Sequence, residues 1–131
     1  MAQFDVYPHP IEEWRGQSPY LVDIQSDLMR GVLNRLTIPL THVWVEAPTE
    51  RLAPLVQIEG TALFLDTLGV LAFPASDLRS PVGNLRSEAP RIWSAIDYAC
   101  TATKVYEQAL THDPPNLHHQ VGPRRPGLSP Q

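Results

Sequence analysis

The sequence contains one cysteine and no long apolar run, and both shortages limit the kind of protein it encodes. Cys100 is the only cysteine among 131 residues, so no internal disulfide can form. No charged segment followed by an apolar one opens the sequence, and a reducing cytoplasm is therefore the expected compartment. The most apolar window, residues 62–75, is interrupted by Asp66, Gly69 and Pro74, so we expect no membrane-spanning segment.

Basic charge is also scarce where the chain is expected to fold. Residues 1–100 contain seven arginines and no lysine against twelve acidic residues, and the whole chain has a formal net charge of −4. Proteins that bind nucleic acid without regard to sequence neutralise its phosphates with lysine and arginine. We therefore expect no direct contact with DNA.

Proline is in excess, with 14 in 131 residues, about twice ordinary usage. Five of them fall within residues 112–131, where few apolar residues are available to form a core. The rest of the chain has the apolar and charged content of a globular protein. The sequence therefore predicts a folded domain over residues 1–111 and a proline-rich, disordered tail over residues 112–131.

Alternating apolar and polar residues predict a domain made mainly of β-strands. Gly60 is the expected turn of a hairpin, and Pro39, which has no N–H, predicts that its strand is bulged or lies at an edge. The predicted strands are residues 3–7, 20–26, 35–40, 42–46, 55–59, 61–66 and 70–73.

After residue 86 the period changes to three and four, which predicts one helix. Ser87 is the expected N-cap, Pro90 is tolerated in the first turn, and the pattern reaches Thr111. Cys100 falls beside the apolar face of this helix and is interpreted as a small core residue. About six strands and one C-terminal helix indicate a mainly β fold, a small antiparallel sheet or partly closed barrel.

Signals for catalysis and metal binding are weak. No phosphate-binding loop and no serine-nucleophile motif occurs. Asp23, Asp27 and Asp66 are scattered carboxylates, interpreted as solvated groups on strand faces. No histidine has a cysteine or carboxylate at a ligand spacing; the histidines are His9, His42, His112, His118 and His119. We predict no catalytic residue, no metal, no cofactor and no enzymatic activity.

Several segments together resemble one protein family. The run V-D-I-Q-S-D-L-M over residues 22–29, followed by R-L-T-I-P-L over residues 35–40, is similar to the CcdB family of plasmid-addiction toxins. Residues 3–7, 55–58 and 92–97 match the same family, so the resemblance covers about the first hundred residues.

The resemblance implies a fold, a mechanism and a set of partners. The fold is an SH3-like, partly closed antiparallel β-barrel with one C-terminal helix, present as a homodimer. The function is that of a toxin in a type II toxin–antitoxin system, which binds the DNA gyrase A subunit and inhibits this topoisomerase without breaking a bond itself. A cognate CcdA-like antitoxin neutralises the toxin, and DNA is contacted only indirectly, through the antitoxin.

The family's gyrase contact maps onto two places in this chain. Leu28 and Met29 match the apolar pair after the Gln-Ser-Asp turn. The matching positions at the end of the helix are Asp97, Cys100, Thr101, Ala102 and Thr103. The family chain ends in Phe-Trp-Gly-Ile, whereas this chain has Cys-Thr-Ala-Thr at the matching positions and continues beyond them. The first loop is shorter in the family than in this chain. Loss of a stacking aromatic at an interface centre costs about 2 kcal/mol or more.

Two other functions stay open at this level. One is a messenger-RNA-cleaving ribonuclease toxin of the related barrel fold, and the other is a degenerate homologue that only binds antitoxin. Two local alternatives are open as well: Leu28 and Met29 could pack beside their turn, and Trp93 could be either an exposed contact or part of the barrel core.

Overall fold

The computed structural model describes residues 1–29, 31–42 and 50–101. Its strands are β1 (Asp5–Pro8), β2 (Tyr20–Asp23), β3 (Asn34–Thr41), β4 (Leu55–Ile58), β5 (Thr61–Leu65), β6 (Leu71–Pro74) and β7 (Gly83–Asn84), and its helix is α1 (Ala89–Cys100). The strand predicted over residues 42–46, the helix beyond residue 101 and the proline-rich tail lie outside the described residues. Within those residues, no helix is long and apolar enough to cross a membrane.

The strands form one antiparallel sheet that bends around strand β3. The order is β4-β5-β3-β2-β1-β7, and β6 also pairs with β3. On one side β3 pairs with β2; on the other, its first half pairs with β6 and its end pairs with β5. Because two strands share one side of β3, the sheet curls into a nearly closed barrel, which confirms the predicted fold class.

Pro39 lies in the middle of the sheet, so the prediction of an edge or bulged strand is wrong. It pairs in regular register with Leu21 of β2. Its carbonyl accepts the N–H of Asp66 at 2.9 Å, and within a strand the N–H and C=O of one residue point to the same side. The missing N–H therefore faces the place where pairing with β6 ends and pairing with β5 begins.

The core of the barrel is aliphatic. Alternate residues of β1, β2 and β3 point inward, and α1 covers one opening of the barrel with Ile92 and Ala95, both fully buried. The opposite face of the same strands is also covered, since Tyr7 and Leu21 pack with Phe73 and Leu78. Strands β1 and β2 are therefore buried on both faces, although their sequences alternate as half-buried strands do.

The hairpin of β4 and β5 confirms the turn prediction. Ile58 pairs with Thr61, so the loop consists of Glu59 and Gly60 alone. Both have positive φ, 51° and 82°, as a type I′ turn requires. Glycine adopts this conformation without steric cost, whereas glutamate does not.

Helix α1 begins later than predicted. Ser87 lies inside a 3-10 turn, Arg86–Glu88, and the α-helix starts at Ala89. Ser87 is therefore not the N-cap. Pro90 occupies the first turn, as expected, because the N–H it lacks would have no partner within the helix there.

Candidate interaction site

The predicted contact pair Leu28 and Met29 lies in a single 3-10 turn, Asp27–Met29. Ser26 holds this turn: its Oγ accepts the N–H of Leu28 and its carbonyl accepts the N–H of Met29, each at 3.0 Å. The Asp27 carboxylate accepts the Gln3 N–H at 2.8 Å, which ties the turn to the N-terminal segment. Leu28 is 95% exposed, whereas Met29 is 51% exposed. Leu28 therefore does not pack beside its turn, and Met29 is half covered.

The exposed apolar surface continues past the predicted pair. Val32 and Leu33 are also exposed, Leu33 at 83%. They line a broad groove of about 900 Å³ whose other side includes Met1, Pro74 and Ala75. We call Leu28, Met29, Val32 and Leu33 the apolar rim. Sequence reasoning missed its second half, although two adjacent apolar residues ahead of a strand were a usable signal.

The other predicted contact residues lie at the far end of α1. Asp97, Cys100 and Thr101 are exposed there, whereas Ala102 and Thr103 lie outside the described residues. Cys100 is thus a surface residue and not the core residue predicted, because α1 turns its Ile92–Ala95 stripe inward. The Asp27–Met29 turn instead approaches the start of α1, where Arg86 lies 3.8 Å from the Asp27 carboxylate. Asp97 lies about 12 Å along the helix axis from Ala89, the first residue of α1.

Trp93 satisfies both of its open interpretations. Its ring meets the buried ring of Phe4 edge to face, with 5.5 Å between centroids. It nevertheless remains 42% exposed. Phe4 itself has a φ of 73°, and the Arg86 guanidinium lies over its ring at 5.6 Å. The indole therefore links the helix to the barrel and still offers a surface to a partner.

Asp23 is not the solvated strand carboxylate that the sequence predicted. It is fully buried, and Arg35 of the neighbouring strand donates to it through Nε at 2.9 Å, with Nη2 in ion-pair contact at 2.8 Å. The Gln25 N–H donates to its other oxygen at 2.9 Å. Burial raises the pKa of Asp23, and the Gln25 N–H and the Arg35 guanidinium oppose that rise. The pair is structural, because its side chains are almost fully shielded from solvent.

The described residues contain no group of three or more histidine, cysteine or acidic side chains placed to hold a metal ion. Surface features with chemical character include the apolar rim, the end of α1 and a smaller cavity beside His9.

The barrel, its helix and the apolar rim can now be set against known families. The chain matches the family model described as CcdB protein over residues 3–102. It belongs to the CcdB family. A comparison with curated proteins finds no match. The family match includes every strand and the whole of α1, as well as the apolar rim. It ends at Ala102, so Thr103 and the proline-rich tail are outside it.

Proposed function

We propose that this CcdB family member is the toxin of a type II toxin–antitoxin system, acts by binding the DNA gyrase A subunit, and is neutralised by a cognate antitoxin. The family match over residues 3–102 carries the proposal. The apolar rim supports it, because exposed apolar side chains on a tightly held turn are suited to burial in a partner's surface.

In the proposed mechanism the toxin binds gyrase and thereby stabilises the complex of gyrase with cleaved DNA. The toxin itself breaks no bond. Ser26 and Asp27 fix the backbone of the turn that carries Leu28 and Met29, so little backbone order has to be gained on binding. Asp97, Cys100 and Thr101 present small or polar groups at the second contact. The rim therefore supplies most of the apolar area, and Trp93 of α1 adds a half-exposed aromatic surface.

The first experiment measures gyrase directly. Purified protein is added to gyrase, ATP and relaxed plasmid, and we expect loss of supercoiling and accumulation of cleaved DNA. Binding to the isolated A subunit is measured by calorimetry in parallel. Absence of binding at high micromolar concentration would contradict the proposal.

Matched variants then test the rim. Leu28→Ala and Met29→Ala should each weaken binding to the A subunit by about tenfold, because interface anchors commonly contribute more than 1 kcal/mol. Leu68→Ala is the control, since Leu68 is also an exposed leucine, at 65%, but lies in the Thr67–Gly69 turn. Equal effects of Leu28→Ala and Leu68→Ala would remove the rim from the contact.

The same preparation separates the other two functions. Specific cleavage of messenger RNA would favour a ribonuclease, whereas binding of the antitoxin without any effect on gyrase or RNA would favour a homologue that only binds antitoxin. Light scattering of the pure protein tests the proposed homodimer.

A further inference from the structure

A second cavity lies on a part of the molecule that the proposed function does not use. It has a volume of about 390 Å³ and is formed by the loop between β1 and β2, the turn after β5, and Pro39 of β3. His9, Glu13, Trp14 and Asp66 contribute its chemically active side chains. This volume is within the ordinary range for small-molecule sites.

His9 offers a buried hydrogen-bond donor at this cavity. The residue is 1% exposed, and its Nδ1 accepts the N–H of Ile11 at 3.0 Å. In the neutral ring the proton is therefore on Nε2. Nε2 has no hydrogen-bond partner among the described residues, and a buried donor is normally paired. An acceptor on a ligand that packs against His9 in the cavity would pair with this donor.

Asp66 offers acceptors at the same cavity. Its carboxylate is half-buried and forms no ion pair with any cation in the part of the chain that the structure describes. Burial raises the pKa of Asp66, and the Gly69 N–H opposes the rise. Gly69 packs so closely that a Cβ there would lie 2.7 Å from Asp66 Oδ2. The carboxylate lies at the wall of the cavity beside Gly69, where donors on a ligand can reach it.

Trp14 supplies an aromatic wall. Its ring centroid lies 5.3 Å from that of His9, which in turn packs edge to face on Phe73 at 5.7 Å. The indole is 52% exposed, so one part of its surface is free to stack on a planar group. A donor, a carboxylate and an indole around one cavity suit a flat heterocycle that has an acceptor beside two donors.

We propose that this cavity binds the guanine base of a nucleoside or mononucleotide. Guanine O6 would accept the His9 Nε2–H, its N1–H and N2 amine would donate to the Asp66 carboxylate, and its ring would stack on Trp14. A bidentate, charge-assisted pair to a carboxylate is selective, because adenine offers only a single donor group at the corresponding edge. Glu13 at the cavity and the net charge of −4 oppose phosphates, so the base itself is the recognised part.

The test uses calorimetry on the full chain with guanosine, inosine and adenosine as probes. Guanosine should bind about tenfold more tightly than adenosine. Inosine, which lacks the N2 amine, should be intermediate. Guanosine monophosphate as a fourth probe separates recognition of the base from any contribution of the phosphate. Equal affinity for guanosine and adenosine, or no binding of guanosine at millimolar concentration, would overturn the proposal.

Three substitutions test the assigned contacts. Asp66→Asn keeps the size of the side chain and should weaken guanosine binding at least tenfold. His9→Asn keeps an acceptor for the Ile11 N–H but removes the Nε2 donor, and should also weaken binding. Asp77→Asn changes an exposed carboxylate in the Ala75–Asp77 turn and should have no effect. Equal guanosine affinity of the Asp66→Asn and Asp77→Asn proteins would contradict the site, and the probe ratios of the unaltered protein test it without any variant.

Discussion

At the scale of single residues, the buried pair of Asp23 and Arg35 has the largest consequence for stability. A carboxylate removed from water is tolerated only when hydrogen bonds and an opposite charge surround it. Asp23 receives two such hydrogen bonds, from the Gln25 N–H and from Arg35 Nε, and Arg35 Nη2 lies 2.8 Å from the same carboxylate. Arg35 also donates to the Gln25 carbonyl at 3.3 Å, so one guanidinium joins β2, β3 and the residues after β2.

Arg35→Met should therefore be strongly destabilising. The change leaves the Asp23 carboxylate buried without its cation, and we expect the free energy of unfolding to fall by about 3–5 kcal/mol. Urea unfolding followed by circular dichroism measures this. Arg86→Met is the matched control, because the exposed pair of Arg86 and Asp27 should contribute less than about 1 kcal/mol. Similar losses for both variants would contradict the structural role of the buried pair.

His9 makes stability depend on pH. Burial first, and the Arg15 guanidinium second, lower the pKa of His9 below its ordinary value of 6.5. The unfolded chain therefore binds a proton more readily than the folded one, and this contribution to stability is present above pH 6.5 and is lost as the pH falls below it. The free energy of unfolding should decrease between pH 7 and pH 5. The His9→Asn protein should show a smaller slope over the same range, and an unchanged slope would contradict the assignment.

At the scale of elements, the β4–β5 hairpin has the most demanding backbone. Its two-residue turn places both Glu59 and Gly60 at positive φ, a conformation that costs an ordinary L-residue about 1 kcal/mol. Tyr20 Oη donates to Glu59 Oε1 at 3.1 Å, but this exposed bond returns little of that cost. The turn is therefore a place where local conformation alone controls stability.

Two substitutions with opposite expected effects on stability test this turn. Gly60→Ala should lower the free energy of unfolding by about 1 kcal/mol, whereas Glu59→Asn should raise it by a few tenths, because Asn-Gly is the preferred type I′ pair. Gly16→Ala serves as the control, since Gly16 has open space around it and is not among the residues with positive φ. Thermal unfolding compares the three variants with the unaltered protein. A Gly60→Ala protein that is more stable than the unaltered one would contradict the assigned turn.

At the scale of the whole molecule, the described residues up to Cys100 form one compact unit. All the core residues named above lie in it, and the family match ends at residue 102. The proline-rich composition of residues 112–131 remains the basis of the predicted boundary near residue 111.

Deletion of residues 112–131 should leave the fold intact. Because these residues have few apolar groups to bury, we expect the free energy of unfolding to change by less than about 0.5 kcal/mol. Urea unfolding of the shortened and full chains makes the comparison. A loss of several kcal/mol would show that the tail belongs to the core and that the predicted boundary is wrong.

The sequence alone determined the elements whose cause is local. Alternation predicted β1 to β6 but not the two-residue strand β7. Gly60 predicted the hairpin turn, and the change of period predicted α1. The resemblance to a family contact, and not the local pattern, singled out Leu28 and Met29. It could not show that they are exposed, because exposure depends on what the rest of the chain leaves uncovered.

The tertiary structure decided which faces are covered. Phe73 of β6 and Leu78 beyond it pack on Tyr7 and Leu21 at the second face of β1 and β2. Asp23 is not solvated in β2 but forms a buried ion pair with Arg35 of β3. The His9 ring likewise contacts the rings of both Trp14 and Phe73. Asp23 and Arg35 are 12 residues apart in the sequence and His9 and Phe73 are 64 apart, whereas Trp14 follows His9 by only five residues. A short-range pattern specifies which side chains share a face, but only the folded chain determines whether that face meets water or protein.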